Sequence, residues 1–334
     1  MKTSVVITTI NKPNKIIKRI SRHCKTKKWD LIIIGDKKSP KNFKMNFGRF
    51  LSLNHQSNLN LKFAKICPQN SYARKNIGYL VAMKENKIII ETDDDNFPKK
   101  SFFQNRKITH KVNFLKNENW INIYDFFLKK NEFIWPRGLP LDEFNNKIKI
   151  SNNRVYRKFF IQQNVCDKNP DVDSIYRIIN EKINIKFKNK KISLKKSLST
   201  FNSQNTTWFR DVFLLMYLPV TCTMRCTDIW RSIIALKLMS INNFEILFGG
   251  PTVIQYRNEH NLLKDFVDEI PMLENDKIIY NTINNLKLKK GNKNFSYNMK
   301  LVYKKLISKK ILDKKEMVYL NAWIEDCKYL LNKE

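Results

Sequence analysis

Apolar positions in the first hundred residues fall in short unbroken blocks separated by polar, helix-spaced stretches. Residues 4–9 (Ser-Val-Val-Ile-Thr-Thr) form a continuous β-branched run, which suits a strand buried on both faces. Residues 14–24 place Ile16, Ile17 and Ile20 on one side of a helix, and Leu31 to Ile34 are a second strand stopped by Gly35 and Asp36. A further helix is predicted over 76–85 and a third strand over 87–91. Strands alternating with helices predict a parallel sheet with crossover helices. Beyond residue 110 the pattern breaks into short apolar runs and punctuated motifs. From Glu259 it becomes helical, with Leu262, Leu263, Phe266 and Ile270 sharing a face, and the last forty residues read as a Lys-rich helical tail. Neither an internal repeat nor a Gly/Ser linker divides the chain.

The third strand runs into Thr92-Asp93-Asp94-Asp95-Asn96, with Pro98 just beyond. Asp and Asn disfavour strands and Pro cannot join a ladder, so the acids mark a strand end. In open α/β sheets ligands bind at the carboxyl ends of strands. Adjacent carboxylates repel unless a cation or donor compensates them. Hard divalent ions, Mg²⁺ or Mn²⁺, take such oxygens and share them with substrate phosphates. Asp93, Asp94 and Asp95 are therefore candidate metal ligands, against the alternative of a solvated acidic turn. Upstream, Arg74 and Lys75 head a helix, where anions are favoured; Arg74 is a candidate phosphate grip or a mere cap. Gly78 and Ala82, four apart, permit that helix to lie close to the sheet.

The remaining candidates carry two readings each. Thr9 and Asn11 end the first strand, and Asp36 ends the second, where a base or ribose could be read or a surface loop begin. Arg137 and Gly138 lie between Pro136 and Pro140 beside Trp135, a loop for donor or acceptor, or a rigid turn. Asn202, Ser203, Gln204 and Asn205 could bind sugar hydroxyls or form a turn network. Asp228, beside buried apolar chain, could have a raised pKa and act as general base on an acceptor hydroxyl, or could cap a helix.

Composition narrows the classes. Within 334 residues, 63 basic residues against 30 acidic ones give a net charge of +33, which implies attraction to something anionic. Abundant Lys, Asn and Ile with scarce Gly equally fit a genome biased towards A and T. Paired zinc-finger ligands and the base-stacking sheet motif of RNA-binding domains are absent, so nucleic acid is disfavoured. Cys222 and Cys226 lack zinc-site spacing, and the six scattered cysteines read as free or buried thiols of a reducing compartment. The N-terminal apolar stretch is too short for a signal peptide and no run reaches the roughly 18 residues of a membrane span. A cytoplasmic location is expected, with peripheral contact at a membrane surface left open.

The ordered motifs resemble the STELLO-type glycosyltransferases. They comprise residues 5–13, Arg74 to Tyr79, Glu91 to Asn96, Trp135 to Gly138, Asn202 to Thr206, Asp228 to Ser232 and Gly249 to Thr252, with Gln255 and Arg257 to Asn261. The resemblance runs over about residues 3–270. It implies an α/β GT-A (Rossmann-like) nucleotide-sugar transferase fold with a C-terminal helical extension, and an acidic cluster serving a donor metal. It adds Asn76, Trp230 and Arg231 to the substrate-binding candidates. The expected organisation is a transferase domain over 1–270, with a nucleotide-binding half over 1–110 and an acceptor-side half over 111–270, followed by a basic tail over 271–334. The expected reaction moves a sugar from a UDP- or GDP-sugar to an unidentified acceptor, a glycan, lipid-linked group or anionic polymer. A nucleotidyltransferase or sugar-nucleotide mutase on the same fold, and a non-catalytic basic scaffold for anionic membranes or glycans, are the competing readings. A Gly-rich phosphate loop, which would favour the nucleotidyltransferase, is missing from residues 5–13.

Overall fold

A computed structural model describes residues 1–180 and 182–331. The opening blocks become β1 (Thr3–Thr8), α1 (Lys15–Lys27), β2 (Asp30–Ile34) and β3 (Arg49–Leu51). Short helices α2 (Leu53–Ser57) and α3 (Lys62–Ile66) lead to α4 (Lys75–Met83) and β4 (Ile88–Thr92). β1 lies parallel between β2 and β4, with Val5 beside both Leu31 and Ile90, so these apolar runs are buried on both faces. Helix α1 starts at Asn14, whose side chain accepts from the Ile17 amide as an N-cap. Helix α4 packs on β1 and β2 through Gly78. A Cβ there would stand 2.6 Å from Val6 Cγ1 and 2.9 Å from Ile34 Cγ1, so the close approach requires glycine.

Beyond the acidic turn come β5 (Asn96–Pro98), β6 (Thr109–Phe114), β7 (Val155–Lys158), β8 (Ile161–Asp167), α5 (Ser174–Ile179), β9 (Lys191–Leu194) and β10 (Asn205–Phe209). Helix α6 (Met224–Ser240), β11 (Ile246–Gln255), α7 (Leu262–Asn284), α8 (Phe295–Ser308) and α9 (Glu316–Leu331) complete the chain. The strands form one mixed sheet in the order β3-β2-β1-β4-β10-β8-β11-β9-β6-β7, with β5 paired to β11. The first four are parallel; β10 enters antiparallel to both β4 and β8. The parallel sheet predicted from the first hundred residues thus continues as a mixed one, because β10 returns beside β4 from the second half of the chain.

The C-terminal helices are part of the same body. Helix α9 packs on α3 and α4, and Trp323 is buried against Phe63 and Tyr217. The boundary expected after residue 270 falls inside α7. That helix also buries a different face from the one its apolar residues suggest. Leu263, Val267 and Ile270 face solvent, while Asp265, Glu269, Met272 and Asp276 are buried. The carboxylates turn inward because cationic and N–H donors await them: Arg257, Arg225 and the Trp230 indole. Among the described residues no helix is long and apolar enough to cross a membrane.

Candidate functional site

The acidic turn closes β4, and each of its three carboxylates meets a different environment. Asp94 faces the end of β1, accepting from Thr9 Oγ1 at 2.5 Å and Asn11 Nδ2 at 3.1 Å. Asn14 secures the Asp94 carbonyl at 2.7 Å. Thr9 and Asn11 are thereby holders of the turn. Asp93 pairs with Lys75 Nζ at 2.9 Å and accepts from Tyr72 Oη at 3.0 Å, both on Oδ1; its side chain keeps 27% of its exposure. Among the described residues the Asp95 side chain receives only Gln255 Nε2, at 3.0 Å on Oδ2, and its buried Oδ1 has no partner. Burial, then the Asp93 charge, pushes the Asp95 carboxyl up to about 7; burial also raises Asp93, opposed by Lys75.

An orphaned buried carboxylate oxygen next to a half-open carboxylate is a donor set for a hard cation. Asp93 and Asp95 fit Mg²⁺ or Mn²⁺ as two protein oxygens, leaving the other positions to water and ligand oxygens. Of the three expected ligands, Asp94 is turned to β1, with Oδ2 taken by Thr9 and Asn11. Among the described residues no group of three His, Cys, Asp or Glu side chains is gathered for a metal.

Around this turn the expected contacts redistribute. Arg74 is not a phosphate grip: it is buried, with Nε and Nη2 on Gln56 Oε1 and Nη1 on the carbonyls of Cys67 and Pro68. The cation that reaches the acidic turn is its neighbour Lys75, fully buried and also bonded to Tyr72 and the Ser203 carbonyl. Asn76 is likewise corrected to a structural role, clasping the backbone of Leu218 through both ends of its amide. Asp36 accepts the amides of Lys37, Asn70 and Ser71, which leaves Oδ2 one acceptor position and anchors the loop leading to Tyr72.

Tyr72 links the acids to a second centre. Its hydroxyl lies 2.6 Å from Ser203 Oγ, which donates to Asp228 Oδ2 at 3.1 Å, as does the Ser203 amide. Asp228 also takes Arg137 Nη1 at 3.0 Å and Nη2 at 3.1 Å. The rest of the Arg137 fork grips Asp171 and the Arg225 carbonyl. The general-base reading of Asp228 is therefore corrected. Burial is the largest single influence and raises its pKa, but the Arg137 charge and hydrogen bonds together with the Arg231 charge hold the carboxylate below its usual range, with both oxygens engaged. Arg137 itself is enclosed between two carboxylates, and Gly138 takes φ +84° where a Cβ would meet Ile229 Cγ2 at 2.5 Å.

Residues 202–205 form an internal network. Asn202 donates to Asp171 at 2.9 Å, and Asn205 bridges the Val165 carbonyl and Thr252. Gln204 lines a cavity with Arg137, Asp171 and Asn202. Trp230 and Arg231 are not at the turn's open side: Trp230 donates to Asp276, and Arg231 is locked on Glu91 by two bonds of 2.9 Å while stacked over Trp208. Reading the chain locally missed Asp171 as the partner of Arg137, and missed Arg177 and Arg225 altogether; nothing beside them in sequence marks them.

The parallel β3-β2-β1-β4 sheet, with the acidic turn at the carboxyl end of β4, is extended by antiparallel β10 into one mixed α/β frame. A family model described as STELLO glycosyltransferases matches residues 225–333, which takes in the helical tail that the motif resemblance had left unmatched. "Probable glycosyltransferase STELLO2" of Arabidopsis thaliana is 28% identical over 75% of this chain and 35% of its own length. "Probable glycosyltransferase STELLO1" of the same plant is 26% identical over 81% of this chain and 36% of its own. The chain is similar to these two proteins and spans about a third of the length of the curated relatives it matches. Among solved structures, glucosyl-3-phosphoglycerate synthase from Mycobacterium tuberculosis, in complex with Mn²⁺, UDP-glucose and phosphoglyceric acid, aligns with a TM-score of 0.45 at 11% identity, over 82% of this chain and 79% of that one. GalNAc-T7 with UDP, GalNAc and Mn²⁺ aligns with a TM-score of 0.38 at 10% identity, over 85% and 50%.

Proposed function

We propose that the chain is a glycosyltransferase that takes a sugar from a nucleotide-diphosphate donor seated at the carboxyl ends of β1, β2 and β4, with Asp93 and Asp95 holding a divalent cation. The observation that carries this reading is the buried, unpartnered Oδ1 of Asp95 beside the half-open Asp93. When bound, Mn²⁺ or Mg²⁺ would offset the charge that grows on a departing nucleoside diphosphate. The chain's own residues prepare that place. Asp94, fixed by Thr9 and Asn11, sets the turn's direction. Lys75 and Tyr72 hold one oxygen of Asp93 and so orient the other. Asp36 keeps one acceptor position for a ribose or base donor at the end of β2. Its donor belongs to the UDP- or GDP-sugars; the acceptor side is formed by residues of β10, α6 and β11.

The deciding experiment is release of nucleoside diphosphate from a panel of UDP- and GDP-sugars, with Mn²⁺, Mg²⁺ or chelator. One donor class should be turned over, and both chelation and Asp95→Asn should lower the rate by at least about 100-fold, as expected when an electrostatic partner of the leaving group is lost. A folded protein that turns over none of them, or whose rate ignores both chelator and substitution, would sink the reading in favour of a binding scaffold.

A further inference from the structure

The buried face of α7 presents two carboxylates one turn apart, Asp265 and Glu269, so the side chains they hold lie side by side. Asp265 receives Arg257 Nη2 at 2.7 Å, and Glu269 receives Arg225 Nε at 2.7 Å. The second oxygen of Glu269 takes both the amide and the hydroxyl of Ser174, the first residue of α5, at 2.7 Å each. Arg177 stands one turn further along α5. Two guanidinium groups are thereby tied to adjacent turns of α7, and α5, which packs on the same helix, brings the charge of Arg177 close to both.

Arg177 differs from the other two. It is 5% exposed, and its Nη groups donate only to neutral acceptors, the Pro170 carbonyl at 2.7 Å and Asn169 Oδ1 at 3.4 Å. Among the described residues its Nε has no partner, and no carboxylate ion-pairs with it. A buried charge in that condition is costly unless something anionic completes it. Burial and the nearby Arg257 charge lower Arg177 to about 10, only partly opposed by the Asp171 charge, whose oxygens are taken by Arg137 and Asn202. Codon bias does not account for the grouping. It inflates lysine, of which the chain has 50, whereas three of only 13 arginines meet here.

The placement connects this group to the acidic turn. Arg257 lies two residues beyond Gln255, the amide partner of Asp95, and the intervening Tyr256 amide donates to the Asp95 carbonyl at 3.0 Å. Arg257 and His260, with side chains 12% and 28% exposed, put the open edge of the group at the loop of residues 256–261. Planar guanidinium forks suit phosphate and carboxylate oxygens. We propose that Arg177, Arg225 and Arg257 form an anion-binding site, separate from the acidic turn, that takes a phosphate or carboxylate group carried by the acceptor. The anion site stands on its own geometry; its assignment to an acceptor rests on the transfer reading above.

Inorganic phosphate is the probe, titrated in thermal-unfolding experiments without divalent metal and at ionic strength held constant with chloride. The wild-type Tm should rise saturably. Arg257→Gln, at the open edge, should raise the half-saturating concentration at least about tenfold, and Arg177→Gln should do the same where it folds. Asp95→Asn should leave the phosphate response unchanged, which separates this site from a failure of the metal and donor reading. With UDP and Mn²⁺ also present, the two responses should add. Equal responses in wild type and Arg257→Gln would mean an adventitious ion on a basic surface and would overturn the site. Competition between phosphate and UDP would reassign the arginines to the donor and overturn the acceptor assignment.

Discussion

The acidic turn after β4 and the Arg137 centre are built from the same residue types and differ in how completely they are paired. At the Arg137 centre, each oxygen of Asp228 has at least one donor, and the guanidinium is divided between two carboxylates. At the turn, Asp95 keeps a buried oxygen with no donor among the described residues, and Asp93 keeps one side open. Buried ion pairs with every valence filled specify structure, whereas a spare oxygen in a desolvated place invites a ligand. Tyr72 and Ser203 join the two centres, so the closed one holds the open one in position.

The strongest challenge to this contrast is removal of charge at each centre. Asp95→Asn should reduce donor turnover by about 100-fold or more while stability holds or rises, because a buried, unpaired carboxylate is being neutralised. Turnover and chemical denaturation on the same preparation check both halves. Arg137→Met should have the opposite signature. It leaves Asp171 and Asp228 buried without their counter-charge and should destabilise by about 3–5 kcal/mol, read from denaturant midpoints. If Arg137→Met keeps its stability and loses only turnover, the closed centre is functional and the contrast fails.

A smaller effect tests the floor of the site. Gly78→Ala forces a methyl against Val6 and Ile34 where α4 meets β1 and β2, and should cost about 1–3 kcal/mol. The same helix carries Lys75, so turnover should fall along with stability.

The smallest effect concerns pH. Burial raises the Asp276 carboxyl well above its ordinary value, although the Trp230 indole donates to it. A carboxyl whose pKa is higher folded than unfolded takes up a proton on folding. Its contribution is therefore most favourable at low pH and is lost as pH rises from about 4 through the folded pKa. Asp276→Asn keeps the acceptor for Trp230 and removes the titration. The variant should show a flatter dependence of stability on pH than wild type above about pH 4, with little change at its most stable point. An identical slope in both proteins would show that Asp276 is ionised in the fold.

The sequence was legible where meaning is local. Unbroken β-branched runs announced β1, β2 and β4, and three acids before Pro98 marked the end of β4, because strand-breaking chemistry acts within a few residues. Gly78 was readable as a packing residue for the same reason. Legibility failed where a side chain's role depends on a distant partner. Arg74 and Lys75 are adjacent and alike in charge, yet one reaches back to Gln56 and the other forward to Asp93, a choice made by the turn at residues 72–74. Asp228 looked like a carboxylate among apolar neighbours, and only the return of Arg137, 91 positions earlier, makes it an ion-pair partner. On α7 the apolar pattern indicated the wrong face, since the charges it buries are matched by Arg225 and Arg257 from other elements.

The most direct test of the central claim is a Mn²⁺ titration followed by electron paramagnetic resonance, with and without UDP, on wild type, Asp95→Asn and Arg137→Lys. The account predicts one Mn²⁺ site in wild type that UDP tightens, a loss of at least about tenfold in affinity with Asp95→Asn, and a folded Arg137→Lys that still binds. Equal Mn²⁺ affinity in wild type and Asp95→Asn, with both proteins folded, would show that the turn after β4 is not a metal site.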